Sequence, residues 1–312
     1  MFTRKLVFSS KFEAHSRKIN SICFSNNSKY LASASKDKTI KIWQIKAGKS
    51  INTTLFKSDV ANSIAFCPDN QTLVSGERNT VKLWSLSAKK LIRILEGHLK
   101  TVNSVTVHPN GKLIASASDD RTVKLWSSES GKQICTLTGH TDKVTAVLFS
   151  PNGNILASGG DINDKTVKLW FLSQNKSITL KGHSDWFGGI EAIAFGSDSK
   201  LIASGSKDKT IKIWRVDTGK EIMTLEGHSD HITSIAISAD NKILASSSKD
   251  KTLKLWALNT GKLITTVDCN EKIRALTFSL NSQTLALGYS TGDIGLFKPQ
   301  SKSSNSLQEL LN

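Results

Sequence analysis

The sequence predicts an all-β chain built from seven copies of one unit. Six of the seven tryptophans end the same short block, at spacings of 41, 42, 44, 44 and 42 residues, and a further step of 41 reaches Phe297 in a weaker copy. A period of about 40 to 45 residues with about four short strands per unit is typical of a propeller blade. We therefore predict a seven-bladed β-propeller. Its blades end near Trp43, Trp84, Trp126, Trp170, Trp214, Trp256 and Phe297.

The third unit shows the strands most clearly. Runs rich in β-branched residues start at Val102, Leu113 and Thr122, and a fourth run covers Gln133 to Leu137. Turn residues such as Pro109-Asn110-Gly111 separate them. Each unit is therefore expected to form one four-stranded blade.

The seventh unit is one strand short. It runs from Lys272 to Phe297 and then meets Pro299 and a polar tail, whereas residues 4–12 match the fourth-strand position ahead of the first unit. We predict that this N-terminal strand completes the last blade and closes the ring, which removes exposed strand edges. The domain organisation is then one propeller over residues 1–298 and a polar C-terminal tail over 299–312.

These units resemble WD repeats, with near-identical copies as in bacterial members of that family. The resemblance covers residues 1 to about 298 and includes the Gly-His pairs, the tryptophans and three Ser-Lys-Asp-Lys-Thr stretches at Ser35, Ser206 and Ser248. The Trp-Asp dipeptide that names the family is absent. The resemblance implies a platform for binding proteins, with the His loops and the Asp loops on one face, the top face, around a central channel.

Five units carry a His, a Ser, an Asp and a Trp, which the resemblance implies form a structural hydrogen-bond network. Five copies argue against one Ser-His-Asp active site, and the Gly-x-Ser-x-Gly elbow is missing, so we predict no catalytic residue. The second unit has Lys57 and Arg78 at the His and Asp positions, and the seventh has Cys269, Leu287, Thr291 and Phe297. The five sets are His15, Ser33, Asp37, Trp43; His98, Ser116, Asp120, Trp126; His140, Ser158, Asp164, Trp170; His183, Ser204, Asp208, Trp214; and His228, Ser246, Asp250, Trp256.

Composition narrows the function classes. No apolar run approaches the length of a membrane helix, and the first residues lack the apolar core of a secretory signal, so we expect a cytoplasmic chain without membrane insertion. The four cysteines lie far apart, and no phosphate-binding loop occurs. We therefore predict no cofactor and no metal.

Two lengthened loops mark a candidate partner-binding site. The Asp loop of the fourth unit gains two residues around Asp161 and Ile162, and the His loop of the fifth gains three around Trp186 and Phe187. We expect the two loops to be neighbours. Trp186 and Phe187 either form an aromatic anchor for a partner or fold inward over the channel, and the sequence leaves both open.

Positive charge is the second feature of the predicted top face. The net charge is +16, from 42 Lys and Arg against 26 Asp and Glu. Lysines flank the network Asp in the first, fifth and sixth units, whereas Glu77 and Asp119 precede that position in the second and third. We predict a basic arc able to attract acidic peptides. Its lysines are Lys36, Lys38, Lys207, Lys209, Lys249 and Lys251.

The remaining lysines recur at fixed repeat positions and are interpreted as a solvated surface. Because no basic stripe with interleaved aromatics occurs, nucleic acid ranks below protein as a partner. The function predicted is a non-enzymatic, monomeric scaffold that binds a protein or peptide on the top face. The alternatives are a basic binder of nucleic acid or anionic surfaces, and an enzyme with its site at the channel mouth.

Overall fold

The computed structural model of the chain describes residues 6–46, 49–183 and 188–299. These residues form twenty-eight β-strands and no helix, arranged as seven four-stranded antiparallel sheets. The predicted seven-bladed β-propeller is confirmed.

Each blade takes its strands in chain order, from the channel outwards, except that the first strand of the chain belongs to the last blade. Blade one holds β2 (Ile19–Phe24), β3 (Tyr30–Ser35), β4 (Thr39–Lys46) and β5 (Lys49–Lys57). Blade two holds β6 (Ala61–Phe66), β7 (Thr72–Glu77), β8 (Thr80–Ser85) and β9 (Lys90–Glu96). Blade three holds β10 (Val102–Val107), β11 (Leu113–Ser118), β12 (Val123–Ser127) and β13 (Gln133–Leu137).

The other four blades repeat this plan. Blade four holds β14 (Val144–Phe149), β15 (Ile155–Gly160), β16 (Val167–Phe171) and β17 (Lys176–Leu180). Blade five holds β18 (Ile190–Phe195), β19 (Leu201–Ser206), β20 (Ile211–Arg215) and β21 (Glu221–Leu225). Blade six holds β22 (Ile232–Ile237), β23 (Ile243–Ser248), β24 (Thr252–Ala257) and β25 (Leu263–Asp268). Blade seven holds β26 (Ile273–Phe278), β27 (Leu285–Tyr289), β28 (Asp293–Pro299) and β1 (Leu6–Glu13).

Strand β1 closes the ring, as predicted. It pairs antiparallel with β28 from Leu6 opposite Pro299 to Glu13 opposite Asp293. The chain then passes into blade one, where the N–H of His15 donates to Gly292 O over 2.9 Å. The first and last repeats are thus joined by a strand ladder.

The core lies between the blades. Each of seven clusters of buried apolar side chains combines residues from two neighbouring blades. Trp126 of blade three, 1% exposed, packs with Leu83 and Leu95 of blade two. The last seam is built alike, since Trp43 of blade one packs with Leu296 of blade seven. Burial between blades makes each one depend on its neighbours.

A β-bulge recurs near the start of every first strand. The register between first and second strand shifts by one residue at the same place in all seven blades. A bulge leaves one residue unpaired and re-aims its side chain. These unpaired residues, called mouth residues below, are Asn20, Asn62, Asn103, Thr145, Glu191, Thr233 and Arg274.

The lysines that recur on the third strands are not a solvated surface, so that interpretation was wrong. Lys254 is only 9% exposed, and its Nζ donates to Thr266 Oγ1 over 2.9 Å. Lys168 and Lys212 make the same contact with Thr179 and Thr224, at 3.0 and 2.8 Å. Much of the repeated charge therefore fastens a third strand to its outer strand.

Candidate functional site

Four blades hold the same chain of hydrogen bonds, and a fifth holds part of it. In blade three the Trp126 indole N–H donates to Ser116 Oγ over 2.8 Å, Ser116 Oγ lies 2.8 Å from His98 Nε2, and His98 Nδ1 lies 2.7 Å from Asp120 Oδ2. Blades one, five and six repeat this geometry. The structure thus brings together the His, Ser, Asp and Trp sets that the sequence singles out.

The bonding pattern sets the positions of the protons. An indole N–H can only donate, so Ser116 accepts it and gives its own hydrogen to His98 Nε2. His98 Nδ1 then carries the ring hydrogen and donates to Asp120, whose second oxygen accepts from the hydroxyl of Thr122 over 2.6 Å. The imidazole is neutral and its polar atoms are paired. Because Ser116 is 0% exposed, its hydroxyl stabilises the blade and is not open to a substrate.

Blade four carries a looser version of the network. Trp170 and His140 both reach Ser158 Oγ, but His140 Nδ1 stands 3.1 Å from Asp164 Oδ2 in an orientation that makes no hydrogen bond. The same Asp164 oxygen accepts the backbone N–H of Thr141 over 2.6 Å. The two extra residues of this Asp loop accompany the change.

Blade two replaces the histidine with a buried carboxylate, which the sequence reading missed. Glu77 is 0% exposed, accepts the Ser75 hydroxyl over 2.6 Å and binds Lys82 Nζ at 2.9 Å. Trp84 still donates to Ser75 over 2.8 Å. The interpretation of Glu77 as a charge on the top face was therefore wrong. The available signal was its spacing: Ser75 and Glu77 are two apart on one strand and so point to the same side.

Blade seven lacks the buried Ser-His-Asp-Trp network, although Lys11 and Thr291 each bind Glu271 and Asp293 in a partly exposed cluster at its edge. Leu287 and Phe297 stand at the Ser and Trp positions, 0% and 4% exposed. The ring of Tyr289 lies over Gly295, where an added Cβ would come within 2.9 Å of it. Gly295 pairs with Leu287 as Lys124 pairs with Ser116, so loss of the third-strand lysine makes room for the tyrosine. The interior of this blade is held by apolar packing.

The networks make stability depend on pH. Burial lowers the pKa of His15, His98 and His228 below the ordinary 6.5. Although burial alone would raise it, bonds from Thr122, His98 and the Leu99 N–H lower the pKa of Asp120. Each such histidine contributes stability that is complete above pH 6.5 and is lost as the pH falls below it, at up to about 1.4 kcal/mol per pH unit. The aspartates add a loss below pH 3.8.

We expect the melting temperature to fall between pH 7 and pH 5 for this reason. His98→Gln is expected to melt lower than the parent at pH 7, because a network is cut, yet to lose less stability per pH unit. Melting curves at half-unit steps of pH measure both slopes. Parallel slopes for parent and variant would contradict the assignment of the pH dependence to the network histidines.

The turn after each network Asp projects a cation from the top face. Lys38, Arg121, Lys165, Lys209 and Lys251 all have φ between 59° and 74°, and all but Lys165 are exposed. Within the described part of the chain none of the five forms an ion pair. The sequence reading found three of them and missed Arg121 and Lys165, although the pairs Asp120-Arg121 and Asp164-Lys165 were visible.

The lengthened Asp loop of blade four lies beside Gly189, at the described end of the lengthened His loop of blade five. A Cβ placed on Gly189 would stand 2.4 Å from Asp161 Oδ1 and 2.9 Å from the backbone N of Ile162. Lys207 binds Asp161 at 2.5 Å and Glu191 at 3.0 Å, so it contributes no free positive charge, and its place in the predicted basic arc was wrong. Trp186 and Phe187 lie outside the described residues, so their role as an anchor stays a prediction.

Metal ligands, membrane-spanning helices and ionised thiols were also sought among the described residues. Among them no three His, Cys, Asp or Glu side chains converge as metal ligands would, and none holds a helix long and apolar enough to cross a bilayer. Burial raises the pKa of the Cys23 and Cys67 thiols to about 12, so neither thiol ionises at neutral pH.

Six stretches of the chain match the family model of the WD domain, G-beta repeat. They are residues 6–44, 49–85, 89–127, 131–170, 174–215 and 219–257, which together make up most of the chain. The protein belongs to the WD-repeat family. Each matched WD repeat starts in the outermost strand of one blade and ends in the third strand of the next. Sequence repeats and blades are therefore offset by one strand. The first match begins with β1, which is the outermost strand of blade seven.

Known WD-repeat relatives are longer proteins. The chain is 30% identical to the transcriptional corepressor LEUNIG_HOMOLOG of Arabidopsis thaliana over 65% of its own length and 30% of that protein. It is 39% identical to the nuclear distribution protein PAC1 of Arthroderma benhamiae over 43% of this chain and 31% of that protein. It is 26% identical to apoptotic protease-activating factor 1 of Danio rerio over 65% of this chain and 13% of that protein. The chain thus spans about a third or less of each.

Proposed function

We propose that this WD-repeat protein is a non-enzymatic scaffold that binds a partner protein on its top face. The observation that carries the proposal is the set of unpaired cations there, Lys38, Arg121, Lys165, Lys209 and Lys251, which surround the channel on turns fixed by the buried networks. Rigid loops lose little conformational freedom on binding, which favours affinity. The names of the relatives, a corepressor and a nuclear distribution protein among them, fit a chain that works through other proteins.

Two charge-reversal variants test which face binds. The top-face variant changes Lys38, Arg121, Lys209 and Lys251 to Glu. The bottom-face variant changes Lys112, Lys132, Lys220 and Lys262, which are exposed in turns at the opposite ends of the strands. Both variants shift the net charge equally, so any difference between them reports position. We expect partner capture from a nuclease-treated lysate to survive the bottom-face variant and to be lost in the top-face variant, with both still folded.

Two results would contradict the proposal. Equal capture of protein partners by the two variants would move the binding surface away from the top face. The second result would be that untreated lysate yields mainly nucleic acid and that both variants lose it alike. The basic surface would then be a general polyanion binder, because non-specific electrostatic attraction to phosphates depends on net charge and salt, whatever the position of the charges.

A further inference from the structure

The mouth residues form a ring of side chains at the top of the channel. In five of the seven blades, this side chain donates to a backbone carbonyl of the next blade. Asn20, Asn62 and Asn103 donate to Ala61, Val102 and Val144, each over 3.0 Å. Thr145 and Thr233 donate to Ile190 and Ile273 over 2.5 and 2.8 Å. These bonds tie neighbouring blades together at the mouth.

The other two mouth residues carry charge, and only one of these is satisfied. Glu191 in blade five binds Lys207 at 3.0 Å. Arg274 in blade seven has a buried Nε with no hydrogen-bond partner in the described part of the chain, and no ion pair there involves its guanidinium. An unsatisfied buried donor is costly, more so when charged. Arg274 as a whole is only half-buried, so its guanidinium keeps bonding capacity for an acceptor from outside.

Charge around the mouth is divided between two halves. In blades three to five, Asp119, Asp161 and Glu191 neutralise Lys143 and Lys207 at distances of 2.5 to 3.8 Å. In blades seven and one, Arg274 is accompanied by Lys18 and Lys36, neither of which forms an ion pair with an acid among the described residues. Lys36 is fixed to Lys18 by its backbone N–H, which donates to Lys18 O over 3.0 Å.

In the second half, Lys18 lies close enough to Arg274 and Lys36 to be repelled by both. Burial and the charges of Arg274 and Lys36 lower the pKa of Lys18. Lys207 in the first half behaves oppositely: although burial alone would lower it, bonds to Asp161 and Glu191 raise the pKa of Lys207. A negative group between Arg274, Lys18 and Lys36 would relieve that repulsion.

We propose that Arg274, Lys18 and Lys36 seat a carboxylate from an acidic segment of the partner protein, at the channel mouth between blades seven and one. The inference rests on the proposed top-face function and names the chemistry of its ligand. A guanidinium and a carboxylate form two parallel charge-assisted bonds. Because Arg274 is recessed in the mouth, a single extended chain reaches it, whereas a bilayer surface or a duplex meets only the outer ring of cations.

The test substitutes Arg274 with the residue that blades one to three use. In Arg274→Asn the amide is expected to bond the Ile19 carbonyl of blade one, as Asn20 bonds Ala61, so the melting temperature should stay level or rise. Binding of a short labelled oligoglutamate peptide, followed by anisotropy, should weaken about tenfold or more, the effect of losing charge-assisted hydrogen bonds. Arg121→Asn removes an equal charge on the far side of the top face and should weaken binding by less than about threefold.

Three outcomes would contradict the carboxylate site at Arg274. Equal weakening by Arg274→Asn and Arg121→Asn would overturn the carboxylate seat but leave the top-face scaffold standing, because the two charge-reversal variants test that separately. A lower melting temperature for Arg274→Asn would show a structural arginine and also overturn the seat. If single-stranded DNA of equal charge binds as tightly and loses the same factor with Arg274→Asn, the ligand class is wrong.

Discussion

Deletion of residues 1–12 is expected to unfold the ring at room temperature. The deletion removes most of strand β1, leaving β28 with an unpaired edge, and it takes away Phe12, whose ring lies 5.0 Å from that of Trp43. Loss of a buried phenylalanine costs about 3 to 5 kcal/mol; the half-buried Phe12 is expected at the lower end of that range, and the strand ladder is lost with it. A domain of this kind has a total stability of about 5 to 15 kcal/mol, so little remains.

Substitution of two phenylalanines in β1 distinguishes the stability contributed by side-chain packing from that contributed by the strand ladder. Phe12 is half-buried and packs against the cluster between blades seven and one, whereas Phe8 is 55% exposed. Phe12→Ala should lower the unfolding free energy by about 3 kcal/mol and Phe8→Ala by about 1 kcal/mol or less. Urea titrations measure both.

Rescue of the truncated chain gives the decisive comparison. A synthetic peptide of residues 1–16, added to the deletion variant, should restore a cooperative melting transition whose midpoint rises with the logarithm of peptide concentration, since the peptide binds only the folded ring. An unchanged melting temperature for the deletion variant without peptide would disprove closure by β1.

Strand positions were predictable from the sequence because the repeat supplies its own alignment. One clear unit, at Val102 to Leu137, fixes the strands of all the others by their spacing from the tryptophans. The predicted closing strand, residues 4–12, overlaps the observed Leu6–Glu13. Closure followed from counting strands, because seven units with one strand missing at one end leave one strand over at the other.

The interactions that break the repeat were not predictable in the same way. Glu77 stands where four of the other blades have a serine, and only its alternation along β7 shows that it points inward. Lys207 binds Asp161 because the lengthened loop of blade four brings that carboxylate within reach. The two residues lie in different blades and 46 positions apart, so no local sequence pattern indicates their contact. Arg274 stands out only once the bulge is seen in the structure. The equivalent side chains of five other blades bond a carbonyl of the next blade, and comparison with them shows that Arg274 lacks this bond.

Glu77→Ala is expected to lower the unfolding free energy by about 3 to 5 kcal/mol, the range for removing one partner of a buried ion pair. The carboxylate accepts three hydrogen bonds, from Ser75 Oγ, Lys82 Nζ and the backbone N–H of Asp59, at 2.6, 2.9 and 3.0 Å. Its removal leaves the Lys82 ammonium with only Asp59, 3.8 Å away. Glu77→Gln keeps one acceptor oxygen, for either the Ser75 hydroxyl or the Asp59 N–H, and loses the charge, so its cost should fall between alanine and parent.

A control and a double-mutant cycle locate the effect. Asp59→Ala removes a half-exposed carboxylate and should cost less than about 1 kcal/mol. Lys82→Met with Glu77→Gln removes both charges together and should be less destabilised than the two single changes sum to, because neither charge is then left alone. Additive losses, or a Glu77→Ala cost below about 1 kcal/mol, would mean that blade two is held by its apolar packing and that the carboxylate does not replace the histidine network. A coupling of the expected sign would instead establish that one buried acid on a second strand can take over the structural role of a histidine and an aspartate from two separate loops.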